Sequence, residues 1–316
     1  MSEMNRRSFI NKGISTGLAI SGLSFVPHLL SAAGKLPAQH PDISVINGTD
    51  YFASTIQAVE LLGGISRFVA PGDKVGLLAN SSYKKPGTFT RPDIVLAVAY
   101  LCLEAGAKEV YLMRGESDSY WKRSPLFDEN RKLLARLKED ESDHLEIKIP
   151  GGKILKEAKV LGGFLDYDKV INLPIVKNHG EIRMTATLKN TMGVNAFSSN
   201  IRFHTGPNLL SGAVKMLSDT YYNMNYLAQC IADLNLVRRY DLYVADVTEF
   251  ITTNGPSGPG ELKKLDKVVA GTDRIAVDAF CCQYLGLDPV KEPLIIKAYE
   301  NKLGEIDLNN ISVKEV

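Results

Sequence analysis

The stretch from Val176 to Gly193 carries the densest set of side chains able to do chemistry. Lys177, His179, Lys189 and Asn190 all fall within it, just beyond the apolar run Val170-Ile171-Asn172-Leu173-Pro174. A neutral imidazole accepts or delivers a proton, or ligates a metal. An amine crowded by other cations releases its proton more readily. His179 and Lys189 are therefore the candidate catalytic groups, and Lys177 and Asn190 candidate ligand contacts. His204, in Phe203-His204-Thr205-Gly206, is the second imidazole, which makes His179 and His204 the metal-ligand candidates. No H-x-x-x-H, H-E-x-x-H or C-x-x-C pattern occurs, so a metal site would have to be assembled from distant segments.

Three other loops carry unusual residues. Asn80 to Arg91 holds Asn80, Lys84 and Arg91 and ends at a predicted helix N-terminus, where free amides and the helix dipole suit an anion. Asn254-Gly255-Pro256-Ser257-Gly258-Pro259-Gly260 has the make-up of a lid or backbone cradle, with Asn254 placed to orient a polar group. It lacks the Lys-Ser/Thr of a phosphate-binding loop. Gly271-Thr272-Asp273 opens another helix, and Asp273 is a candidate ligand contact there. Arg274 and Asp278, four residues apart, read as a helical salt bridge. Together these cations predict a small anionic partner, a carboxylate or a phosphate.

The elements that must position these groups follow from hydrophobic spacing. A helix is predicted over Tyr51–Phe68 and a buried strand over Lys74–Asn80. Another helix begins at a capping box, Thr90-Arg91-Pro92-Asp93, and a strand follows at Val110–Met113. Strand and helix signals then alternate to the end of the chain, while residues 34–48 show no periodicity. Such alternation predicts an α/β fold, a mainly parallel sheet with helices on both faces. Gly151-Gly152 and Gly162-Gly163 leave a subdivision near residues 150–168 open. In such sheets ligands sit at the carboxyl ends of strands, where all four loops fall.

Composition narrows the classes. With 37 Lys+Arg against 36 Asp+Glu, the chain offers no global case for a nucleic-acid partner. Four cysteines without metal-ligand spacing make a structural zinc or an iron–sulfur cluster within this chain unsupported, and no disulfide is expected. The start, Asn5-Arg6-Arg7-Ser8-Phe9-Ile10, precedes an uncharged, glycine-diluted run from Gly13 to Ala33 that closes on Ser31-Ala32-Ala33. It resembles a twin-arginine export signal. Residues 1–33 are thus expected to be the signal and 34–316 the mature α/β domain. The protein is expected to be periplasmic or otherwise exported, with the translocase a transient partner. A retained anchor is the alternative, weakened by the glycines, Pro27 and His28.

Several blocks in order resemble the domain of unknown function 362 family. They are Thr90-Arg91-Pro92, Glu104-Ala105-Gly106-Ala107-Lys108, Ile171-Asn172-Leu173-Pro174 with Lys177 and His179-Gly180, and Thr187-Leu188-Lys189-Asn190 with Gly193. Asp233-Leu234-Asn235, Asn254-Gly255-Pro256, and Asp273 with Ala276-Val277-Asp278-Ala279 complete the series. The resemblance runs from about residue 74 to 313. Relatives often end their first strand in Lys-Pro-Asn, whereas Leu78-Ala79-Asn80 keeps only the Asn. The family transfers no established catalytic residues. Many members accompany ferredoxin-type cluster domains, which implies a redox partner protein. Thr90-Arg91-Pro92, with His179 and Lys189, is also similar to segments of the nickel-pincer lactate racemases. Three functions remain open: an exported enzyme acting on an anionic small molecule, a non-catalytic anion-binding protein, and an accessory factor for an iron–sulfur partner. The cofactor is left unassigned.

Overall fold

The computed structural model describes residues 40–205 and 220–316; the export signal expected over residues 1–33 lies outside them. One eight-stranded sheet organises the described chain. Its strands are β1 (Ile43–Asn47), β2 (Lys74–Ala79), β3 (Glu109–Leu112), β4 (Leu137–Glu139), β7 (Lys169–Leu173), β10 (Leu242–Ile251), β11 (Leu262–Gly271) and β12 (Val313–Glu315). β5 (His144–Lys148) pairs with β6 (Glu157–Leu161), and β8 (Lys177–His179) with β9 (Arg183–Thr185), in separate two-stranded sheets. The main order is β12-β1-β11-β10-β7-β2-β3-β4. All its pairings are parallel except β1–β11 and β10–β11. The sheet is therefore mainly parallel, as the alternation predicted.

Successive residues of the central strands feed opposite faces. Leu242 and Val244 of β10 join one buried cluster, while Tyr243, Ala245 and Val247 join the other. Helices α1 (Tyr51–Leu61) and α2 (Pro92–Glu104) cover the first face. Helices α4 (Thr220–Leu234), α5 (Arg274–Cys281) and α6 (Pro293–Glu300) cover the second, and α3 (Phe197–Thr205) packs on α4. Burial on both faces explains why the strands are continuous apolar runs. Residues 40–316 cluster as one unit, and the glycines near 150–163 fall in and around the β5–β6 hairpin.

Three local expectations are corrected. The helix at Tyr51 ends at Leu61, because Gly63 and Gly64 adopt φ of 101° and 80° and turn the chain. The capping box at Thr90 does not form: Arg91 occupies the cap position, and the Thr90 hydroxyl donates to the Leu173 carbonyl. The aperiodic lead contains β1, whose Ile43 and Val45 face one core and Ile46 the other. A short strand buried on both faces leaves no alternating signature. The four cysteines are buried and free. Among the described residues no helix is long and apolar enough to cross a membrane.

Candidate functional site

The chain passes from β2 outward to β3 and β4, then returns to the other side of β2 as β7. Strand order thus reverses between β2 and β7, and a crevice at their carboxyl ends is where open α/β sheets place ligands. A cavity of about 400 Å³ lies there. Asn80 borders it just past β2, Arg114 just past β3, Lys177 and His179 from β8, and Lys189 from the helical turn Thr187–Asn190. Met192, Phe197 and Pro256 supply an apolar wall.

Three asparagines fix the floor. Asn190 donates to the Leu78 carbonyl and to Asn172 Oδ1, and accepts from Asn80 Nδ2. Asn172, on β7, donates in turn to the Thr187 carbonyl. Asn190 borders the cavity, but its amide is spent on the framework. Its ladder ties the turn carrying Lys189 to both strands. Asp278, on α5, completes the tie. Its two oxygens accept from the backbone nitrogens of Thr187 and Leu188, at 2.7 and 3.1 Å. The expected Arg274–Asp278 salt bridge does not form, because Arg274 donates to the backbone carbonyls of Asn235 and Arg238. Burial pushes the Asp278 carboxyl up to about 7, against the pull of these hydrogen bonds.

The cations are poorly compensated. Lys177 is 1% exposed, donates to the Thr88 carbonyl at 2.5 Å and lies 4.5 Å above the Tyr83 ring. Burial, reinforced by Lys189, lowers its pKa to about 7. Lys189 has no hydrogen bond or ion pair among the described residues, and burial lowers it to about 8 despite the attraction of Glu181. Glu181 is engaged elsewhere: its carboxylate pairs with His204 Nδ1, and that hydrogen bond holds it below its usual range.

His179 is 4% exposed, and its Nδ1 accepts the Glu181 backbone N–H at 3.2 Å. A backbone nitrogen only donates, so Nδ1 carries no proton and Nε2 carries one. Burial, then Lys189, His204 and Lys177, depress its pKa far below the ordinary value. His179 is therefore a neutral donor through Nε2–H. Ligating a metal through Nε2 would put a proton on Nδ1, facing another donor. The His204 ring lies nearly parallel, its centroid 6.5 Å away. Among the described residues no group of three His, Cys, Asp or Glu side chains is placed to hold a metal.

Of the sequence-predicted residues, Asn80, Lys177, His179, Lys189, Asn190 and His204 border the cavity together. Lys84, Arg91, Asn254 and Asp273 do not. Lys84 is exposed in its loop. Arg91 donates to Thr248 and Glu249 and lies over the Tyr51 ring. Its backbone N–H caps the buried Asp246. Asp273 caps α5 through the nitrogens of Ile275 and Ala276. Asn254, at φ 54°, donates to Pro259 within its own loop.

That loop reaches the site by another route. It is the tip of the β10–β11 hairpin, clipped to β8 by Gly255 N to Asn178 Oδ1 and Gly180 N to the Gly255 carbonyl. A Cβ on Gly255 would lie 1.7 Å from the Asn178 carbonyl oxygen. Gly255→Ala is thus expected to cost about 1–3 kcal/mol and to free the tip. Urea unfolding and proteolytic nicking at residues 252–261 measure both.

Arg114, Tyr83 and Thr185 border the cavity and were not anticipated. Arg114 follows β3, so the strand-end rule applied to that strand would have found it. Thr185 gave no sequence signal.

The motif blocks that meet here match the family model for the domain of unknown function 362 over residues 74–283. This chain belongs to the domain of unknown function 362 family. Its Leu-Lys-Asn and Ala-Val-Asp-Ala blocks are the two sides of the Asp278 tie. A thylakoid-associated protein of Synechocystis sp. is similar to this family member, at 27% identity over 276 residues, 83% of this chain and 79% of that protein. A crystal structure of a Thermotoga maritima protein aligns with a TM-score of 0.42 at 11% identity, over 76% of this chain and 60% of that one.

Proposed function

We propose that this family member is an exported protein that holds a small anionic molecule, a carboxylate or phosphate, in the cavity at the β2–β7 switch point. The supporting observation is the buried Lys177 beside the half-buried Lys189, neither paired with a carboxylate among the described residues. An anion would supply the missing countercharge, with Arg114 and the His179 Nε2–H completing its hydrogen bonds. The twin-arginine-like start supports export, and a thylakoid-associated relative fits a setting at or across a membrane. The translocase is then a transient partner.

Anion binding must be linked to lysine protonation. Below about pH 7 both amines are charged in the empty cavity and attract the anion; above about pH 8 they are neutral and do not. Affinity for pyruvate or inorganic phosphate is therefore expected to fall about tenfold or more between about pH 6 and about pH 9. Near neutrality, binding takes up protons, which titration calorimetry in buffers of different ionisation enthalpy reads directly. His179→Ala removes one donor and weakens binding about tenfold. Absence of saturable binding across a panel of carboxylates and phosphates would reject the reading.

A further inference from the structure

Among the cavity's cations, Lys189 is the one with no hydrogen bond or ion pair to a described residue. Lys177 is held as a donor by the Thr88 carbonyl and the Tyr83 ring, and Arg114 donates to the Gly193 carbonyl. Lys189 has no partner among the described residues, yet the Asn190 ladder and the Asp278 tie hold its backbone rigidly. Two unspent polar groups border the same space. The His179 Nε2–H is a fixed donor, and Thr185 Oγ1 is buried without a hydrogen-bond partner. Met192, Phe197 and Pro256 add apolar surface to the same space.

We propose that the cavity takes an anion bearing a ketone or aldehyde carbonyl, a small 2-oxo acid, and that Lys189 Nζ condenses with that carbonyl to form an imine. The inference rests on the anion-binding reading and names the ligand class. Arg114 and Lys177 bind the carboxylate, which aims the carbonyl carbon at Lys189. The Nζ lone pair forms the C–N bond, and the carbonyl π electrons move to oxygen, which takes the proton that Nζ then releases. The resulting carbinolamine loses its hydroxyl as water, with one proton taken from solvent, as the nitrogen lone pair forms the C–N double bond and leaves a protonated imine. His179 Nε2–H and Thr185 Oγ1 are the donors placed to hydrogen-bond the departing oxygen. Amine, carbonyl and one proton give the protonated imine and water, with no oxidant or reductant required. Burial of the site, against the attraction of Glu181, keeps a larger share of Lys189 as the free amine than a surface lysine has.

The test incubates the purified chain with pyruvate and sodium cyanoborohydride, which reduces imines and leaves ketones. Intact and peptide mass spectra are then read, with calorimetric binding of pyruvate and of lactate, which lacks the carbonyl, measured in parallel. The expected result is one adduct per chain on Lys189, with the mass of one pyruvate less one oxygen atom, suppressed by excess lactate. Lys189→Arg, checked for folding by circular dichroism, acquires none. Lactate binding with no adduct on Lys189, or adducts spread over surface lysines, overturns the imine and leaves the anion site standing. Failure of both pyruvate and lactate to bind, in protein that binds no other carboxylate or phosphate, overturns both readings.

Discussion

Lys189→Met is expected to raise unfolding free energy at neutral pH by about 1–3 kcal/mol while weakening anion binding about tenfold to a hundredfold. The two effects have one cause. A half-buried ammonium with no partner among the described residues is a desolvation cost in the empty protein and becomes an attraction when an anion arrives. Methionine keeps similar length and apolar bulk and removes the charge. No hydrogen bond among the described residues is lost with it, so no orphaned acceptor offsets the gain. The pH dependence identifies the mechanism. Lys189 has an ordinary value of 10.5 and about 8 in the fold. Between these values the unfolded chain binds more protons, so wild-type stability from this group rises with pH. The advantage of methionine is full below about pH 8 and fades as pH approaches about 10.5. Urea unfolding across that range measures it. A difference independent of pH would show that packing, and not charge, sets the effect.

Asp278→Ala is expected to cost about 3–5 kcal/mol and to abolish anion binding, although Asp278 does not border the cavity. The turn Thr187–Asn190 has no side-chain cap of its own, and Asp278 accepts two of its first backbone N–H groups. Alanine leaves both buried without an acceptor, at about 1–3 kcal/mol each. The turn carries Lys189 and Asn190, so its loosening moves the amine and breaks the ladder to Asn80 and Asn172. Asp278→Asn keeps one acceptor oxygen and is expected to lose only about 1–2 kcal/mol, with binding retained within about tenfold. Chemical denaturation and calorimetry on the pair separate a positioning role from general destabilisation. Equal binding loss in both variants would contradict it.

The α/β class was legible in the sequence, because alternating apolar runs and helical stripes are local patterns that each segment carries alone. It also placed Asn80, Lys177, His179, Lys189 and Asn190 at strand ends, since that rule needs only strand boundaries and chain direction. Which cations converge was decided by tertiary structure. Arg91 and Arg114 both follow strand-end loops, yet Arg91 is drawn to Thr248 and Glu249 on β10, 157 and 158 residues away, and Arg114 borders the cavity. Asp278 has Arg274 one helical turn away, yet it meets Thr187 at a separation of 91 residues. Helical spacing cannot register a competing partner that distant. The protonated nitrogen of His179 was equally invisible, because it depends on where the Glu181 backbone N–H points after the β8–β9 turn has formed. Residue type supplied the chemistry available at this site; the long-range hydrogen bonds chose which groups remain free to use it.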